Sequence, residues 1–161
     1  MKYFEVSLAL LVVVFYFLLG IPAIPAAAMF GLSAFVLEFY YLFFGIAVFN
    51  SLSIKSMFRK ASYYNVSFGK IVASIGLGVA FSIAINGSLF IILKLPGGLE
   101  LLTISTTTLI FAIPIVLFKH FFKYKGISLF YKRVLYRLTP VLVISIYLFL
   151  KELWNLEGVT V

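Results

Sequence analysis

"SIGLGVAFSIAINGS" (Ser74–Ser88) alternates without a miss: small or polar residues take every even position and large apolar residues most odd ones. Strict alternation is the mark of a half-buried strand, yet no charged residue occurs in the stretch. A strand at membrane depth must belong to a closed barrel, and a barrel alternates in all its strands. Nothing else in this chain does so, and the flanking apolar runs are continuous and of helix length, so the stretch is read as helix. At about 100° per residue its even positions form two ridges. Ser74, Gly78, Ser82 and Asn86 make one, and Gly76, Ala80, Ala84 and Ser88 the other, on the opposite side. Each is a small-xxx-small track of the kind that lets membrane helices approach closely. The span carrying both tracks is expected to be the central helix, packed on two sides.

Composition supports a membrane setting for that helix. Of 161 residues, 64% are hydrophobic and 11% charged, with a mean hydropathy of +1.18. A soluble domain has about 45–50% apolar and about 25% charged residues. The surplus apolar surface needs lipid, so one all-α, polytopic transmembrane domain is expected. The chain has no cysteine, no aspartate and a single histidine, His120. Disulfides, thiolate metal sites, a haem held by two histidines and a Ser-His-Asp triad are therefore excluded within it. It also lacks a phosphate-binding glycine loop, an HExxH pair and a nucleophile elbow. No enzymatic activity, cofactor or metal is expected.

Five spans follow from the apolar runs, at about 4–20, 31–54, 71–93, 101–118 and 138–156. Pro22 and Pro25 break the chain after the first. Lys2, the apolar run and Ala26–Ala28 have the outline of a signal peptide. The prolines lead directly into another apolar span, however, and the first segment is read as an uncleaved helix. With the N-terminus cytoplasmic, that side holds Lys2, four basic residues of the 55–70 loop and six of the 119–137 segment. Only Lys94 and Lys151 of the thirteen fall on the other side. The positive-inside rule asks for this asymmetry, which places the C-terminus outside, near an interfacial Trp154. The net charge of +8 is thus explained by topology, and nucleic acid is not an expected partner.

Glu38 lies about 7 residues, roughly 10 Å, below the outer end of the second span. A carboxylate there is a functional-site hypothesis by default. Its helical neighbours Gly31, Ala34, Tyr41 and Gly45 form a small and polar face. With Asn86 and the hydroxyls of "TISTTT" (Thr103–Thr108), Thr103 and Thr107 among them, Glu38 and Tyr41 make a candidate intramembrane polar site. In the bland reading Glu38 is uncharged and bonded to Tyr41 or to a hydroxyl of the fourth span. The threonines are then helix-to-helix glue, and Asn86 fixes helix register. Pro114 predicts a kink. Glu5, three residues from Lys2, is read as a headgroup-level residue without a role.

The 119–137 segment mixes cations with aromatic residues. Lys123, Lys125, Lys132, Arg133 and Arg137 are expected to meet anionic headgroups at the cytoplasmic face, with His120 an exposed interfacial imidazole. Gly126 divides the segment, and "SLFYKRVLYR" (Ser128–Arg137) is expected as an interfacial amphipathic helix leading into the fifth span. The layout of Phe68–Leu150, an apolar hairpin followed by a basic, aromatic segment, resembles small GtrA-type membrane proteins linked to polyprenyl-phosphate sugars. That resemblance implies lipid-phosphate handling and carries over no residue.

The leading expectation is a non-enzymatic subunit of a larger membrane assembly, sited in a prokaryotic cytoplasmic membrane. It would pack through Ser74, Gly76, Gly78, Ala80, Ser82 and Ala84 against its own helices, other subunits or a second copy. The alternative is a small transporter or lipid-handling protein with a polar cavity near Glu38, Asn86 and Thr103–Thr108.

Overall fold

The computed structural model describes residues 2–21, 25–122 and 129–157. These form α1 (Lys2–Leu18), α2 (Ala26–Asn50), a one-turn α3 (Ile54–Met57) with a following 3-10 turn, α4 (Phe68–Ile92), α5 (Gly98–Phe122) and α6 (Leu129–Glu157). The chain is all-α, and α2, α4, α5 and α6 are each long and apolar enough to cross a membrane. These four mark an integral membrane protein. α1 is apolar but shorter, at 17 residues or about 25 Å. The Ser74–Ser88 stretch lies wholly within α4.

Three boundaries depart from expectation. α2 begins at Ala26, five residues early. Pro25 stands just outside the first turn with φ −72°, where its missing N–H costs nothing. Ala26–Ala28, the best helix formers, then carry the helix forward. α2 stops at Asn50, because Ser51 turns left-handed (φ 56°) and the Leu52 N–H donates to the Ala47 carbonyl at 2.9 Å. α6 is the third correction. The "SLFYKRVLYR" segment is no separate interfacial helix: from Leu129 onward it is the opening of α6, which runs unbroken through Pro140. Phe130, Tyr131, Val134 and Leu138 are buried on one face and belong to the main core, so nothing favours a break. Gly126, Lys123 and Lys125 lie outside the described residues, as does the His120 side chain. α5 continues as helix through Pro114.

α4 packs against α2, α5 and α6, while α1 packs on α2. The α2–α4 crossing is made at Gly45 and Gly78. A Cβ on Gly78 would lie 2.7 Å from the Tyr41 carbonyl oxygen, and one on Gly45 3.0 Å from the Gly78 Cα. Ser74 and Ser82, on the same ridge, are buried. On the second ridge Ala80 and Ala84 are buried, but Gly76 faces open space. α5 is met instead at Gly87, where a Cβ would come 2.9 Å from the Leu102 nitrogen. The main core gathers Tyr41, Phe49, Phe81, Leu109, Val134 and Leu138. A smaller cluster of Phe30, Ala34 and Leu89 fills the other end of the α2–α4 contact.

Candidate functional site

Two carboxylates lie within the bundle, in different settings. Glu38 stands at the centre of α2, twelve residues from either end. That is about 18 Å along the helix, deeper than the sequence reading had it, because α2 starts early. Its partners are on α4: the Ser82 hydroxyl and the Asn86 amide nitrogen each donate to Oε1 at 3.4 Å. These bonds are long, beyond the usual 2.7–3.2 Å, and both fall on one oxygen. Neither Tyr41 nor a hydroxyl of α5 bonds it. Glu38 is only half-buried. Phe35 and Leu42, one turn before and after, are exposed. Phe35, Phe39 and Phe43 form a ladder of rings beside it, at 4.5 and 5.4 Å between centroids.

The threonines do not join this site. The backbones of α2 and α5 do not approach each other, and α4 packs between them. Thr103 and Thr107 are exposed, and the Thr103 and Thr108 hydroxyls donate back to the Leu99 and Ile104 carbonyls at 2.7 and 2.8 Å. Thr106 is buried with no hydrogen-bond partner for its hydroxyl. The structure thus brings together Glu38, Ser82 and Asn86, and leaves Thr103, Thr107 and Tyr41 elsewhere.

Tyr41 belongs to the second carboxylate, Glu5, which the sequence placed at headgroup level without a role and the structure places inside the bundle. Glu5 is 8% exposed. The Arg137 Nε donates to its Oε1 at 2.5 Å and Nη2 to its Oε2 at 2.6 Å, a two-pronged pair. The Tyr41 hydroxyl adds a bond to Oε1 at 2.7 Å. Arg137 also lies over the Phe49 ring, 6.0 Å from its centre. One carboxylate therefore ties α1, α2 and α6. Further along α2, Asn50 donates to the Ser74 hydroxyl at 2.8 Å, joining α2 to α4. Arg137 is thus engaged by Glu5 inside the bundle, while Lys132 is exposed and Arg133 half-buried.

The two carboxylates differ in kind. Glu5 has its cation, its hydroxyl and its burial, and acts as a strut. Glu38 has two weak neutral donors and an open side. Among the described residues no group of three or more His, Cys, Asp or Glu gathers to hold a metal. Comparison with protein families, with curated proteins and with solved structures yields no match to this chain.

Proposed function

We propose that this chain is a non-enzymatic subunit of a membrane assembly, and that it docks on another membrane chain through the α2 face carrying Glu38. The carrying observation is the half-met carboxylate at the centre of an apolar helix, flanked by exposed rings. A polar group at that depth needs partners. Arg137, a cation drawn into the bundle, is already held by Glu5. A donor from a neighbouring helix would complete the site, as interhelical hydrogen bonds do in membranes. The small-residue crossing at Gly45 and Gly78 builds the rigid α2–α4 pair that presents it.

The same reading includes a five-span topology, with α1 crossing, the N-terminus cytoplasmic and the C-terminus outside. A small transporter is the competing reading. It loses support because the hydroxyls of α5 stand apart from Glu38.

The test is purification of the full chain from its native membrane in mild detergent. A partner chain in fixed ratio is expected, and Glu38→Leu should release it while the helical circular dichroism stays unchanged. Recovery of the unaltered chain alone as a monomer would overturn the proposal. Proton- or solute-coupled flux through liposomes, abolished by Glu38→Gln, would establish the transporter instead.

A further inference from the structure

α1 and α6 form a wedge. At one end Glu5 and Arg137 bridge them, but their backbones do not touch. Toward the other end a cleft of about 720 Å³ opens between them. That volume is within the roughly 300–1,000 Å³ of small-molecule sites. Tyr16 of α1, Leu19 just beyond it, Leu95 beyond α4 and Leu148 of α6 line its apolar part. Its rim carries Lys94 and Lys151, with Glu152 beside them. Lys94 follows the end of α4 and Lys151 lies near the end of α6, and both border this cleft.

Lys94 is also held in an unusual way. It sits left-handed (φ 54°) just after α4. Its N–H donates to the Ile91 carbonyl at 3.1 Å, and the Leu95 N–H donates to Phe90 at 2.8 Å. This is the closing motif of a helix at which glycine is the favoured residue. A left-handed non-glycine residue is a strained choice, and such choices gather at functional sites. Here the strained residue places a cation on the rim of an apolar cleft.

We propose that the cleft holds one anionic phospholipid, with an acyl chain between α1 and α6 and its headgroup phosphate at Lys94 and Lys151. The apolar walls favour an amphiphile over a free phosphate. Two lysines against one glutamate leave a positive rim, which complements a headgroup of net negative charge. Exposed Trp154, on the same turn of α6 as Lys151, marks the headgroup level that such a lipid would occupy.

Trp154 is the sole tryptophan and reports on this end alone. The full chain is reconstituted in phosphatidylcholine vesicles containing rising fractions of a brominated lipid, and Trp154 fluorescence is read. Brominated phosphatidylglycerol should quench at about tenfold lower mole fraction than brominated phosphatidylcholine or phosphatidylethanolamine. The double variant Lys94→Gly with Lys151→Gln should lose that preference, and glycine at position 94 keeps the α4 ending intact. Leu19→Phe, which narrows the cleft without changing charge, should weaken quenching as well. Equal quenching by the three lipids overturns the proposal, as does a preference that survives the lysine variant. A preference untouched by Leu19→Phe also overturns it, since surface charge alone would then be holding the lipid.

Discussion

Glu5 and Glu38 show how differently two carboxylates in one bundle are used. Glu5 is well partnered: two bonds from Arg137 and one from Tyr41 engage both its oxygens. Removing one partner of such a buried pair strands the other charge and costs about 3–5 kcal/mol, whereas replacing both by apolar groups of similar size is often neutral. Glu5→Leu and Arg137→Met should therefore each lower the unfolding temperature in detergent sharply. The double variant should recover most of the loss. Additive losses in that cycle would show that the pair carries no coupling. Glu38 was legible in the sequence because a lone acid inside an apolar run is conspicuous. Glu5 was equally an acid in an apolar run. Its nearness to the terminus and to Lys2 suggested headgroups, and the signal that pointed inward was long-range. α1 and α6 run in the same direction, which brings Glu5 near the start of the first helix level with Arg137 at the start of the last apolar run.

At the scale of elements, α4 shows what a small-residue pattern can and cannot specify. Both ridges were visible in the alternation of Ser74–Ser88. Which side would meet which helix was not, because that depends on backbones far apart in sequence. Gly78 lies against the α2 backbone, while a Cβ at Gly76, two residues earlier, would meet open space. Gly78→Ala should cost about 1–3 kcal/mol by overpacking against Tyr41. Gly76→Ala should be neutral or stabilise by up to about 1 kcal/mol through helix propensity. Thermal unfolding of both variants in the same detergent checks the contrast. Equal effects would mean that the α2–α4 crossing is looser than the Gly45–Gly78 contact implies. The ends of α2 and α6 were less legible. Pro25 reads as a breaker until it is seen as the residue before a first turn. The basic residues ahead of Leu138 hid the buried stripe of Phe130, Tyr131 and Val134.

At the scale of the whole molecule, everything turns on α1. With 17 residues it falls short of the ~20 expected of a span, yet its contacts follow the first two thirds of α2 in antiparallel order. Phe4 meets Tyr40 at 5.5 Å between rings, Glu5 meets Tyr41, and Tyr16 meets Phe30 at 6.2 Å. Positions 4–16 of α1 thus run beside 30–41 of α2, so α1 lies alongside α2 instead of across its end. Exposed Tyr3 and Phe17 near its two ends suit the two interfaces of a bilayer. If α1 crosses, the crossings are odd in number and the termini lie on opposite sides. The absence of native cysteine makes this directly measurable. Single cysteines at Tyr3, Gly20, Asn65, Pro96 and Asn155 are labelled with a membrane-impermeant maleimide in right-side-out and inverted vesicles. Tyr3→Cys should label with Asn65→Cys from the cytoplasmic face. Gly20→Cys should label with Pro96→Cys and Asn155→Cys from the other. Labelling of positions 3 and 20 from the same face would make α1 a surface helix and leave four crossings. The termini would then share a side, and the positive-inside assignment would have to rest on the 55–70 and 119–137 segments alone.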